Sequence, residues 1–130
     1  MGKRLMYFFE FINSLQNPDY RMVFGTYLDD LDYSFRNSAL PSDVFAAEPE
    51  WNVELLPETS QAFFAATAHH LSVKYKLESP FWCFKEKYFL KDPYFPFPAK
   101  KYLRVILMIE SPKAFKMRNI FVSENALEVA

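Results

Sequence analysis

A single cysteine, Cys83, is present among 130 residues, so neither an intramolecular disulfide framework nor a zinc site built on cysteines is available to this chain. Glycine is almost as scarce, limited to Gly2 and Gly25. Sandwiches and barrels draw on glycine for turn positions with positive φ, so its shortage argues against an all-β fold. It argues equally against a glycine-rich loop that cradles phosphates. No run of 18 apolar residues occurs, which excludes a membrane-spanning helix. The N-terminus carries Lys3 and Arg4 ahead of apolar residues, but Glu10 and Asn13 cut that run short and no small-residue cleavage site follows. Met6 stands where a myristoylation motif requires Ser or Thr. A cytoplasmic location is the expectation. Internal repeats and low-complexity stretches are missing too.

What is present is apolar and aromatic. Hydrophobic residues make up 51% of the chain and aromatics 19%, with 15 phenylalanines. Disorder needs low hydrophobicity and high net charge, and neither applies. One domain spanning residues 1–130 is long enough to bury most of its unfolded surface. A core of that size needs fewer rings than this, so part of the aromatic surface is expected in a groove or an interface.

The net charge of −1 conceals a division. Over residues 1–73, four Lys and Arg stand against ten Asp and Glu; over 74–118, eleven stand against four. Such a split serves a basic patch for an acidic partner, or it neutralises itself when the two regions pack together.

Periodicity and punctuation favour helices. Residues 5–15 have near-helical apolar spacing, ended by Asn17-Pro18. Asp19 can cap a helix over 20–35 with Met22, Val23, Tyr27, Leu28 and Leu31 as its inner stripe. A short helical turn is expected over 41–47. The clearest helix is 57–76, with Pro57 at its first position, Glu58 in the first turn and four alanines. Ser79-Pro80 starts another turn. The prolines at 93, 96 and 98 make residues 92–98 an extended aromatic loop. Residues 100–110 read as a helix, with a buried strand as the alternative. Ser111-Pro112 caps the next helix, Asn119 ends it in the left-handed conformation, and Ser123 begins a last one. The prediction is an all-α, compact single-domain bundle of about five to seven helices with a Pro/aromatic-rich loop. Phe63, Ala66, Leu71, Trp82, Leu103, Ile106 and Phe115 are its expected core.

Chemistry-bearing residues are few. His69 and His70 are adjacent, hence about 100° apart on a helix, whereas helical metal pairs sit at i, i+4. One is expected at the core edge and the other exposed. Lys85 and Lys87 follow Cys83 closely and would lower a thiol pKa, but a lone cysteine more commonly acts as a small buried hydrophobe. Asp29, Asp30 and Asp32 lack the further ligands of a divalent-cation loop. No catalytic residue, metal site or cofactor is therefore assigned, and the chain is read as a non-enzyme. The candidate surface is Lys100, Lys101, Arg104, Lys113, Lys116 and Arg118, near Tyr88, Phe89, Tyr94, Phe95 and Phe97. It suits an acidic protein partner. Nucleic acid is the lesser alternative, its phosphates meeting the cations and its bases the rings.

The pattern Pro49-x-Trp51, AATAHHL at 65–71, Pro80-x-Trp82 and SPKAFKMRNIFVSENAL at 111–127 resembles a group of small uncharacterised bacterial proteins marked by a C-terminal SPxAFRRRNIFV-like motif. They are associated with abortive-infection-type nucleotidyltransferase systems. The resemblance covers residues 49–127 and is specific over 111–127. Of the motif's three arginines, Lys116 and Met117 replace two and Arg118 is the third. The resemblance implies no catalytic residue. It implies a cytoplasmic partner-binding protein, the antitoxin-like member of a toxin–antitoxin or abortive-infection pair. A small enzyme or ligand-binding protein with an aromatic pocket near His70 or Cys83 is the competing reading.

Overall fold

The computed structural model describes residues 4–97, 99–123 and 127. Among them five α-helices form and no strand: α1 (Phe8–Asn13), α2 (Arg21–Arg36), α3 (Glu58–Lys74), α4 (Lys101–Glu110) and α5 (Lys113–Lys116). Two single 3-10 turns, Phe81–Phe84 and Glu86–Tyr88, lie between α3 and α4. The helix expected to begin at Ser123 falls almost wholly outside the described residues.

α3 is the axis of the molecule. Every residue from 60 to 68 is buried, on all faces of the helix, as a helix without a polar side must be. Ala62, Ala65, Ala66 and Ala68 let neighbours approach closely, and α5 and both 3-10 turns pack against it. Rings fill the remaining space. Phe64 meets Phe8, Phe24 and Trp51, and Phe63 meets Phe24 and Phe115, at centroid separations of 5.5–6.5 Å. Phe63 is buried as expected, so its removal would leave a large cavity.

The helices end without glycine. Ser38, Lys76 and Asn119 adopt φ of 55°, 59° and 65°. After each, the next N–H reaches back five residues: Ala39 to Ser34 O, Leu77 to Ser72 O and Ile120 to Phe115 O, at 2.7–3.0 Å. This is the Schellman closure, and Asn119 takes the role its sequence position predicted.

Other expectations are corrected. Asp19 does not cap α2; its carboxylate binds Arg21, and Tyr20 precedes the helix. Residues 42–45 form a turn rather than a helix. Met22 and Val23 face solvent, while Tyr27, Leu28 and Leu31 are buried. Ser111 does not cap α5; Pro112 holds that place. Ser111 is buried, its hydroxyl accepting the Val122 N–H at 2.9 Å and facing the carbonyls of Leu107 and Val122. It pins the end of α4 to the returning chain. Residues 92–97 are non-helical, and Tyr94 makes a single parallel bridge with Ile120.

Candidate interaction surface

α4 is inverted with respect to an ordinary surface helix. Seven of its ten residues are apolar, yet none is buried. Tyr102, Val105 and Ile109 fall at i, i+3 and i+7, on one stripe, and are 66%, 58% and 68% exposed. Leu107, on the opposite side, is the best covered. Leu103 and Ile106, expected in the core, are exposed as well. The local pattern is amphipathic, but the side facing the molecule includes Arg104. Its guanidinium stacks on Phe95 at 5.0 Å, and its Nε–H donates to Ala99 O at 3.2 Å. The Pro/aromatic loop thus engages the polar side of α4 and leaves the apolar stripe to solvent.

Five of the six candidate cations sit at or beside this helix. Lys100 and Lys101 are exposed at its N-terminal end, Arg104 follows one turn later, and Lys113 and Lys116 are exposed on α5. Lys116 Nζ donates to Ile109 O at 3.0 Å, tying α5 to the end of α4. None of the five forms an ion pair among the described residues. Among the described residues the charge division is joined only at Glu48, which meets Lys85, Lys87 at 3.8 Å and the Tyr88 hydroxyl. Burial alone would raise the Glu48 pKa, but the bonds from Lys85 and Tyr88 hold it below the usual range. The remaining ion pairs are local: Arg4–Glu10, Arg21–Asp19 and Arg36–Asp32.

Arg118, the sixth candidate, is not on this surface. It is 0% exposed. Its Nη1–H groups donate to Ala114 O at 2.6 Å and to His69 Nδ1 at 3.0 Å, and Nη2 donates to Cys83 O at 2.8 Å. Phe84 and Phe89 flank the guanidinium at 5.3 and 4.9 Å. No carboxylate pairs with it among the described residues, and its buried Nε has no hydrogen-bond partner. Burial lowers its pKa, but an arginine keeps its proton. Carbonyl dipoles and ring faces supply the stabilisation a counter-ion otherwise would.

This placement fixes His69. Because Nδ1 accepts from a permanent donor, the ring is neutral with its proton on Nε2. Burial, then the charges of Arg118, His70 and Lys113, push its pKa down to about 4. Burial likewise pushes the Cys83 thiol up to about 12, so the neighbouring lysines do not make it a thiolate near neutral pH. His69 and His70 are both half-buried, so one lies at the core edge as expected but neither is the exposed histidine, and the Arg118 partner was not foreseen.

Two cavities open elsewhere. One, of about 1100 Å³, runs along α1 and α2; the other, of about 1010 Å³, lies beside the second 3-10 turn, with Leu56, Lys87, Phe89 and Tyr94 in its wall. Neither has His70 or Cys83 in its lining. Among the described residues no helix is long and apolar enough to cross a membrane, and no cluster of His, Cys, Asp or Glu could hold a metal ion.

No protein-family model, curated protein or solved structure matches the chain.

Proposed function

We propose that this is a cytoplasmic, non-enzymatic binding protein whose α4 docks on an acidic protein partner. The observation that carries the reading is the outward apolar stripe Tyr102, Val105 and Ile109, bordered by exposed Lys100 and Lys101, which form no ion pair among the described residues. An isolated helix shorter than about 12–15 residues is marginal in water, and helices in proteins owe their stability mainly to packing of the apolar face. α4 has ten residues, and among the described residues none of its apolar side chains is buried. A partner that covers it gains the apolar burial, and its carboxylates meet the lysines.

The competing enzyme reading loses support from the roles of its own residues. Neither cavity has His70 or Cys83 in its wall, and the Cys83 thiol is buried and neutral. Base stacking on Phe95 is pre-empted by Arg104, which leaves Tyr102 as the well-exposed ring beside Lys100 and Lys101. In a two-gene pair the chain would be the antitoxin-like member, a compact single-domain bundle presenting one helix.

A photo-crosslinking benzoylphenylalanine at position 102, introduced in the native host, tests this. The reading expects a protein adduct that disappears when Lys100 and Lys101 are both changed to Glu. It expects no such adduct from position 73, where Val73 is exposed on α3. Adducts to lipid alone, or equal adducts from both positions, overturn it.

A further inference from the structure

The groove along α1 and α2 has the properties that α4 lacks a partner for, and it belongs to the same chain. Its volume is about 1100 Å³, and its wall includes Leu5, Leu15, Val23, Tyr27, Tyr33 and Asp30. Two of its charged groups are already paired, Arg4 with Glu10 at 2.8 Å and Asp19 with Arg21 at 3.2 Å. Asp30 is not, and neither is the exposed Asp29 beside it on α2; no ion pair involves them among the described residues. Lys100 and Lys101 are equally unpaired at the N-terminal end of α4, where the helix dipole disfavours cations. A carboxylate brought to that end relieves both misfits.

From this match we propose that the acidic partner of α4 is the groove of a second copy of this chain, the two copies exchanging α4 helices about a two-fold axis. The proposal rests on the partner-binding reading above and names its partner. The dimensions support reciprocity. A ten-residue helix is ~15 Å long and ~10 Å across, so it presents only a few hundred Å² to a groove. A stable interface needs ~800 Å² per partner. One contact falls short, and two related by a dyad double the area without an open-ended chain of copies.

The test is oligomeric state in solution, by light scattering on the full chain over a concentration series. Wild type is expected to approach twice 15.4 kDa and to dissociate on dilution. Ile109→Glu on α4 and Val23→Arg in the groove should each weaken association at least tenfold. Both sites are exposed, so each variant should melt at the wild-type temperature once all are diluted to monomer, where association no longer adds to stability. Mixed in equal amounts, the two variants retain one intact groove and one intact helix between them. With half of the reciprocal interface restored, the mixture should associate more strongly than either variant alone and more weakly than wild type. The only native cysteine is buried, which permits a direct check: Ile109→Cys should form a disulfide with Val23→Cys of another chain.

A wild type that stays monomeric at 100-fold dilution and at the highest attainable concentration overturns the proposal, whether or not it sediments with phosphatidylserine vesicles. So does a dimer in which Ile109→Cys links only to itself, since α4 then packs on α4. If the chain is monomeric while position 102 still crosslinks to a different protein, the self-docking idea fails and the partner-binding reading stands. If neither occurs, both fail.

Discussion

Arg118 and α4 invert the usual distribution of polar and apolar groups, in opposite senses and within twenty residues of each other. One of the chain's five arginines is fully enclosed, while Ile109 and Val105 stand in solvent. Arg118 is enclosed because three segments converge on it: the α3 histidine, the carbonyl of Cys83 and the turn of α5 itself. α4 is exposed because the loop before it engages its arginine side instead. The contrast shows that burial here follows from which groups can be satisfied locally, not from hydrophobicity alone. A guanidinium with two carbonyls, a ring nitrogen and two aromatic faces is tolerable inside. An apolar stripe exposed to solvent among the described residues is what a docking partner would cover.

If that contrast is right, the largest effect comes from removing the enclosed cation. Arg118→Ala leaves a cavity and unpairs the carbonyls of Ala114 and Cys83, and should cost about 3–5 kcal/mol in urea unfolding. A loss under ~1 kcal/mol would mean that the guanidinium reaches water and that the two regions are not inverted.

Ser111 links the two regions, since its hydroxyl joins the end of α4 to Val122. Ser111→Ala strands the buried Val122 N–H and should lower stability by about 1–3 kcal/mol. An unchanged unfolding midpoint would show the junction to be incidental.

A smaller effect is expected from acid. The folded His69 pKa of about 4 lies below the ordinary value of 6.5, so the unfolded chain takes up the proton first. The stability that depends on neutral His69 is complete above pH 6.5 and is lost progressively as pH falls towards 4. His69→Asn, which keeps an acceptor near the Nδ1 position, should flatten part of the fall in urea midpoint between pH 6.5 and 4.5. Parallel curves for the two proteins would show that His69 does not sense Arg118.

The smallest effect belongs to α4. Val105→Ala should change monomer stability by less than ~0.5 kcal/mol, as surface substitutions do, because its side chain is 58% exposed. A cost of 1 kcal/mol or more in dilute protein would place the stripe against the body and remove the candidate surface.

Much of the helical framework was legible in the sequence. The alanines and Pro57 marked α3, and Asn119 announced the left-handed close of α5, whereas the first helix, expected over 5–15, is confined to Phe8–Asn13 and ends before Asn17-Pro18. Those signals are local, written in propensities and in backbone groups a few residues apart. The basic cluster was legible as residues but not as a surface. In a run reading KMRN, Arg118 and Lys116 carry the same charge, and a four-residue helix is too short for periodicity to separate inside from outside. Val23 and Ile106 fail for a related reason: an apolar stripe fixes the face a helix would bury, not whether anything arrives to cover it.

The amino-acid sequence by itself determined a helical chain with a core rich in phenylalanine, alanine-lined contacts around α3, glycine-free helix ends and cations gathered in the last third. Only the tertiary structure decided that Arg118 goes inside, because its acceptors lie 35 and 49 residues away and exist as a site only once Cys83 O and His69 Nδ1 are brought together. It also decided that α4 turns its apolar side outward. The orientation of a short helix is set by what the flanking loop offers, and here Phe95 and Ala99 O offered a place for a guanidinium.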